Sequence, residues 1–482
     1  MKRKLIITIL IFSNSLMSEI FDGYTLFTKT LTPTSTILMT NDFQYINTWD
    51  HDAPPASMAY LLPDSTLIYP YMVENPTMVN GGVGGGIKAL NWNNEVLWNY
   101  TFSNETYQHH HDIEPLPNGN ILIIVWEMKT VEEAYALGRQ VIDNNINQIW
   151  SSAILEFETI NGNIIWEWHL WDHLIQNVDS NLPSYGVISE HPELFDINKG
   201  TIGSSGGPTG NHADWMHINS IHYNSTLDQI ILSSRDQSEI YIIDHSTTTE
   251  EAASHSGGNS GKGGDFLYRW GNPSNYDRGD ESYHILGNQH SASWIPNDFP
   301  GAGNIIIFNN LPGSGYYYEN NTDESELSNS VIIEITPPLD ANGNYILNEN
   351  DPYEPSMGTW SHELENLTSV QGGVFRLLNG NTLITELGPL DNRIIEINND
   401  GNILWEYVNI GGKIARCQKY SIDYLNNYLY GDINEDEIIN VLDLVLIVNI
   451  ALDNDFNILC DLNNDNIVNI LDIILILNII IY

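Results

Sequence analysis

The sequence predicts an all-β fold, a six-bladed β-propeller with a small C-terminal α-helical domain built on calcium-type loops. Three observations predict it. A strand-rich unit recurs six times between Tyr45 and Leu429, helical periodicity is almost absent from that stretch, and the composition then changes abruptly into two near-copies of an Asp/Asn-rich loop followed by an apolar run. Each unit joins a short strand ending in Trp to a strand–turn–strand. The Trp strands are Tyr45–Trp49, Glu95–Trp98, Gly162–Trp166, Asp265–Trp270, Gly358–Trp360 and Gly401–Trp405. The hairpins that follow them are Tyr60–Ile68, Pro115–Ile124, His222–Leu232, Trp294–Ile307, Arg376–Ile384 and the weaker Tyr420–Leu429. Asn-Gly and Asp-Ser between apolar runs are turn chemistry, because these residues tolerate positive φ at low cost. A unit this small cannot bury a face alone, so copies must stack. Radial stacking gives the propeller, and a β-sandwich array is the other arrangement of the same strands.

Taken in chain order, Met1–Ser18 places Lys2, Arg3 and Lys4 before a short apolar run and then small polar residues, the layout of a secretory signal peptide. The run is too short to span a bilayer, and no Cys follows it for a lipid anchor. The expectation is therefore a signal peptide over 1–18, a propeller over 19–430 and a repeat module over 431–482, in a protein that is exported (secreted, periplasmic or at the cell surface) and has no membrane span once the signal is removed. The only helical pattern inside the propeller is Val131–Gly138, and the longest insertions are Ile175–Asp214 and Thr247–Gly264, of the size that carries sites or lids. With 17 Lys+Arg against 62 Asp+Glu the net charge is −45, which excludes a nucleic-acid partner, since a phosphate backbone repels such a surface. A hydrophobic fraction of 42% is enough for a core, and two cysteines exclude both a disulfide scaffold and a thiolate zinc cluster. One bridge between Cys417 and Cys460 stays open.

Counting back from each hairpin turn, one repeat position holds Ser57, His111, His217, His290 and Gly372. Equivalent positions in a propeller point the same way, so three imidazoles from different blades are expected to converge at the central channel. His109, His110, His212 and His222 are left ambiguous. Three imidazoles suit zinc, but the sequence has no HExxH, and Arg235, in the strand after the His217 hairpin, is a poor neighbour for a cation. An Arg among imidazoles suits an anion. The glycine-rich Ser256–Gly264 imitates a phosphate loop, yet has Ser256 where that loop needs Gly and Gly263 where it needs Ser or Thr. It reads as a flexible rim, and no nucleotide cofactor is expected.

Several long segments then resemble the bacterial arylsulfate sulfotransferases that use no nucleotide donor. They are Asp214–Asn224 (DWMHINSIHYN), Ile231–Asp244 (ILSSRDQSEIYIID), Gly257–Pro273, Asn288–Asn297 (NQHSASWIPN) and Gly380–Asn398, in the family's order, and the similarity runs over about residues 40–430. The resemblance implies a six-bladed propeller that transfers a sulfuryl group from an aryl sulfate donor to a phenolic acceptor through a transiently sulfurylated histidine. By motif that nucleophile is His290, with His217, Asn219 and Arg235 holding the sulfuryl oxygens and His111 as a further active-site histidine, His110 being its one-residue alternative. Ser291 stands where many relatives have Asp, which leaves the orientation of the nucleophile's ring open. Two readings compete: a non-catalytic propeller that binds a ligand or glycan, and a sulfatase with water as acceptor.

The last segment repeats DINEDEIINVLD (Asp432–Asp443) as DLNNDNIVNILD (Asp461–Asp472). Oxygen side chains at loop positions one, three, five, nine and twelve, with a main-chain carbonyl at seven, are calcium-loop spacing. The ligands expected for Ca2+ are Asp432, Asn434, Asp436, Ile438 (carbonyl), Asn440 and Asp443, then Asp461, Asn463, Asp465, Ile467 (carbonyl), Asn469 and Asp472. Asp rather than Glu at twelve and no Gly at six depart from the EF-hand. The duplicated pattern resembles dockerin type I repeats, which implies a cohesin-like protein partner or an attachment tail.

Overall fold

The computed structural model describes residues 19–30, 33–207, 210–319, 329–388, 391–410, 412–425, 431–434, 438–453, 457–463 and 467–481. The predicted signal segment, Asp436 and Asp465 lie outside the described residues. Two compact units result, one of residues 1–62 and 66–421 and one of 63–65 and 422–482.

The first unit is a six-bladed β-propeller of four-stranded antiparallel sheets. Its first blade is composite: Cys417–Ser421 pairs with Gly23–Lys29, which pairs with Thr34–Thr40 and then Tyr45–His51, in the register Gly23↔Ser421 to Phe27↔Cys417. The ring is thus closed by joining the two ends of the chain segment in one sheet. The other blades run in sequence order from inside to outside, beginning at Tyr60–Leu61, Tyr107–Pro115, Ile218–Asn224, His290–Trp294 and Gly373–Arg376. These first strands pack on one another around the axis. Every Trp strand read from the sequence is the fourth, outermost strand of a blade, and each of the first five hairpins opens the next blade. In place of the sixth, expected at Tyr420–Leu429, the single strand Cys417–Ser421 pairs with Gly23–Lys29, and residues 426–430 lie outside the described ones. The sequence repeat is therefore out of phase with the blades.

The reason for the recurring Trp is visible. The indole N–H of Trp49 donates to Asn91 O (2.9 Å), that of Trp166 to Thr247 Oγ1 (3.2 Å), that of Trp270 to Pro355 O (2.6 Å), that of Trp360 to Asn399 O (3.2 Å) and that of Trp405 to Asn41 O (2.8 Å). Each acceptor lies in the connection between the third and fourth strands of the following blade. At the second blade Tyr100 takes this part through its hydroxyl, 3.1 Å from Thr159 O. An aromatic body filling the gap between blades and a polar edge reaching the neighbour's turn serve packing and satisfaction together.

A second inter-blade bond sets the register of the inner strands. Ile221 N–H donates to Asp112 Oδ2 (3.2 Å), Ala292 N–H to Ser220 Oγ (3.1 Å) and Val374 N–H to Ser291 Oγ (3.2 Å). Asp112, Ser220, Ser291 and Gly373 are therefore equivalent, and the position before them holds His111, Asn219, His290 and Gly372. His217 stands two residues earlier than the slot that counting assigns it.

In the second unit, helices Val441–Asp453 and Ile470–Ile481 pack through Ile447, Cys460, Val468 and Ile476. Cys417 and Cys460 are both free thiols, each buried within its own unit. Among the described residues no helix is long and apolar enough to cross a membrane.

Candidate active site

The inner strands of the third, fourth and fifth blades each carry a register shift at the axis, between His109 and Ile113, Ile218 and Ser220, and His290 and Ser293. Left-handed backbone accompanies the shifts, with φ of +54° at His111, +48° at His217 and +53° at Ser291. Such bulges re-aim side chains at the cost of a less populated conformation. Here the bulge compensates the two-residue offset: the rings of His111 and His217 meet edge to face with centroids 4.7 Å apart. His110 joins them, its Nδ1 2.8 Å from His111 Nδ1, while its ring stacks on Trp126 at 4.1 Å.

His290 is held in one tautomer. Its Nδ1 faces two acceptors, Asn288 O at 2.9 Å and Asn310 Oδ1 at 2.8 Å, so Nδ1 carries the proton. The Asn310 amide cannot turn over, because its Nδ2 donates to Thr368 O (2.6 Å) and Gln371 O (2.7 Å). Nε2 is left with its lone pair, met by the Gln371 N–H at 3.3 Å. Burial pushes the His290 pKa down to about 3, the Asn310 bond opposing and the charges of His217 and Arg235 reinforcing. The ring is therefore neutral at pH 7. Asn310 and Asn288 do the orienting for which the sequence offers no Asp after His290, and Ser291 serves the blade staple instead.

His217 is the opposite case. Its Nδ1 lies 2.6 Å from Asp214 Oδ2, and its main-chain N–H donates to Asp214 Oδ1 at 3.1 Å. Asn80 Nδ2 also donates to Asp214 Oδ2, at 2.9 Å. Burial opposes a charge on His217, yet the Asp214 carboxylate and hydrogen bond, with Asp236, lift its pKa above the ordinary histidine value. Burial likewise opposes ionisation of Asp214, but the charge and hydrogen bond of His217, with His110 and Asn80, hold it well below the usual carboxylate range. Burial, then His217, His110 and His290, keep His111 far below the ordinary value and neutral.

Arg235 follows the second strand of the fourth blade, with its N–H on His217 O (3.2 Å) and its Nη1 2.6 Å from Asp236 Oδ1. It is partly exposed, at 28% of its side-chain surface, and its charge reaches both His217 and His290. Asn219 is buried, with Nδ2 on Gln289 O (2.7 Å) and Oδ1 without a partner among the described residues. His111, His217, Asn219 and His290 thus sit on or next to the innermost strands of three adjacent blades, and Arg235, after the second strand of the fourth, reaches His217 and His290 by charge. His222 lies further along its strand, beside Trp294 (6.3 Å between centroids).

A glycine-rich loop of the second blade closes the cluster and was not singled out from the sequence. A Cβ on Gly82 would fall 2.2 Å from His111 Nε2, and one on Gly84 2.5 Å from His109 Nδ1, while Gly81 stands against the far edge of His217. The density of glycine in Gly81–Gly86 is the signal that this backbone approaches other groups closely. Chemically the arrangement sets one neutral imidazole nitrogen near an imidazole whose carboxylate partner favours its charged form and a guanidinium, inside a strongly acidic chain. That local field suits an anion that must be attacked by a nucleophile.

Fold and site together define a six-bladed β-propeller with a cluster of histidines, an asparagine and an arginine at its axis. The model of the family Arylsulfotransferase (ASST) matches residues 85–336, more than half of the chain, and the chain belongs to that family. His111, His217, Asn219, Arg235 and His290 all lie within the match. Among solved structures the chain is similar to a protein of unknown function from Bacteroides caccae, with 11% identity over 83% of this chain and 98% of that one and a TM-score of 0.41. It is similar also to a putative 6-phosphogluconolactonase from Bacteroides fragilis (10%, 83% and 98%, TM-score 0.39) and to the WD40 domain of Toxoplasma gondii coronin (7%, 83% and 69%, TM-score 0.36). Among curated proteins none matches.

Proposed function

We propose that the protein transfers a sulfuryl group from an aryl sulfate to a phenol by a two-step reaction through His290. The Nε2 lone pair attacks sulfur, the S–O bond to the aryl group breaks, and the phenolate leaves with the electron pair. The acceptor's phenolic oxygen then attacks the same sulfur, its proton passing to a base, and the N–S bond returns its electrons to Nε2. The SO3 group spreads charge over three oxygens, so the protein's part is positioning and electrostatic stabilisation. Arg235 and protonated His217 supply positive charge, His217 also a proton for the leaving phenolate, and His111 and Asn219 further hydrogen bonds. The observation that carries this reading is the locked Nδ1–H tautomer of His290, which leaves Nε2 unprotonated, met by the Gln371 N–H, in a ring that the charges of His217 and Arg235 reach. Incubation with 4-nitrophenyl sulfate tests it. Nitrophenol release that needs a phenol, together with SO3 trapped on the His290 peptide, supports transfer. Release without acceptor indicates a sulfatase, and silence a binding propeller.

The C-terminal unit fits two Ca2+ ions. Asp432, Asp443, Asp461 and Asp472 are all buried, and pairs of buried carboxylates call for a cation. Asp443 Oδ1 accepts from Ile433 and Asn434 N–H and Asp472 Oδ1 from Leu462 and Asn463 N–H, the same bonds in both copies. The Oδ1 atoms of Asn440 and Asn469 are engaged as helix caps by Leu442 and Leu471 N–H, both at 2.8 Å, so these two residues would reach a Ca2+ ion through water. We read this unit as a dockerin-like docking module for a cohesin-like partner on an exported protein.

A further inference from the structure

Away from the channel, His173, His255 and Asp265 form a cluster independent of the sulfuryl-transfer reading. His173 follows the turn Leu170–Asp172 at the outer end of the third blade, and its fully buried ring lies parallel to Trp168, 5.8 Å away. Its Nδ1 is 2.7 Å from Asp265 Oδ1 and its Nε2 2.8 Å from Ala252 O. His255 brings its own Nδ1 to 2.8 Å from the same Asp265 oxygen. One donor atom from each of the three residues lies within 4.8 Å of the others. Asp265 is buried, whereas His255 is 61% exposed.

Two features set this apart from ordinary hydrogen bonding. A neutral imidazole has a single N–H, and the Ala252 carbonyl takes the one on Nε2. The Nδ1 side, 2.7 Å from a carboxylate oxygen, therefore calls for a positive charge, which either a second ring proton or a bound cation supplies. Moreover, an Nε2–H anchored on a backbone carbonyl, with Nδ1 presented to a shared centre, is how proteins orient a metal-binding histidine. We propose that His173, His255 and Asp265 bind a divalent transition-metal ion of the zinc class through Nδ1, Nδ1 and a carboxylate oxygen, with water in the fourth position on the open His255 side. Tetrahedral zinc at about 2.0–2.1 Å from N and O donors spaces them about 3.3 Å apart. The present 2.7 and 2.8 Å separations would therefore widen by about half an ångström on binding, the second through movement of exposed His255 and the first between the two buried side chains of His173 and Asp265. Imidazole nitrogen selects this ion class over Ca2+, which prefers oxygen. The ion would tie the Thr247–Gly264 insertion to the third blade, converting a glycine-rich loop into a pinned one.

The test uses the full chain, stripped of metal and held in excess Ca2+ so that the oxygen-lined C-terminal loops are occupied. Titration with Co2+ is expected to give one equivalent with visible ligand-field absorption, displaced by Zn2+. His255→Ala, at an exposed position that does not threaten folding, and Asp265→Asn should each weaken binding about 10–100-fold. Zn2+ should protect the Thr247–Gly264 insertion from proteolysis in the unaltered protein but not in His255→Ala. Absence of the Co2+ spectrum, or Co2+ binding and Zn2+ protection unchanged by His255→Ala and Asp265→Asn, overturns the site.

Discussion

In the proposed transfer His290 can attack sulfur in one tautomer only, and a single side-chain oxygen, that of Asn310, holds it there with help from Asn288 O. Replacing His290 by Gln should abolish turnover, whereas Asn310→Ala should leave the nucleophile in place but free its ring, lowering kcat about 100-fold with little change in substrate KM. Steady-state kinetics with an aryl sulfate separates the two. Asp214 makes a different prediction through pH. The folded pKa of His217 is raised, so its charged form persists to higher pH than that of a free imidazole and is lost as pH rises through the raised value. If protonated His217 assists the leaving phenolate, kcat/KM falls on the alkaline side, and Asp214→Asn moves that limb to lower pH. An alkaline limb that stays in place in Asp214→Asn removes His217 from the proton inventory. Much of this was legible from residues alone: the repeat position located His111 and His290, and the motifs located His217, Asn219 and Arg235. Asn310 and Asn80 were not, because they come from segments 20 residues after His290 and 137 before His217, joined only by the folded backbone. Nor was the two-residue offset of His217, since a bulge with left-handed φ changes where a side chain points without leaving a mark in a residue count.

At the scale of elements, alternation, turn residues and the terminal Trp sufficed to find the strands, because each strand's outer position repeats one job. What they did not reveal was the phase, since a unit that runs from the outer strand of one blade to the inner hairpin of the next is equally periodic. The chain ends decide it: the sheet that holds both Gly23–Lys29 and Cys417–Ser421 must be composite. The inner strands are also tied by charge. Asp112 accepts from Ile221 N–H and Tyr60 Oη–H and forms an ion pair with buried Arg416. Removing one partner of a buried pair strands the other, so Asp112→Ala should lower unfolding free energy by about 3–5 kcal/mol in urea titrations. By comparison, Ser220→Ala, which deletes only the neutral staple to Ala292, should cost about 1 kcal/mol. Equal effects for the two substitutions would show that Arg416 finds another partner.

Across the whole molecule, stability should depend on pH through histidines before it depends on the 62 acidic residues. Burial is the largest cause in holding His51, His109 and His290 at a pKa of about 3 and His222 at about 4. In the unfolded chain each titrates near 6.5. Between those values the unfolded state binds protons that the native state refuses, and each such group costs about 1.4 kcal/mol of stability per pH unit. The raised histidines, His169, His217 and His245, give no relief there, because below about 6.5 they are protonated in both states. Protonating surface carboxylates does relieve the repulsion of a −45 chain, but that begins near pH 4–5, after the histidine loss is under way. The thermal midpoint of the propeller should therefore fall steadily from pH 6.5 to 4.5, as followed by circular dichroism. His51 is the control, since it stacks on Tyr69 at 3.6 Å, bonds Thr36 at 2.7 Å and lies outside the active-site cluster. His51→Gln should flatten the slope by the share of one proton while leaving kcat unchanged. A midpoint constant over that range would mean that the buried rings accept protons in the native state, and the neutral His290 on which sulfuryl transfer rests would fall with it.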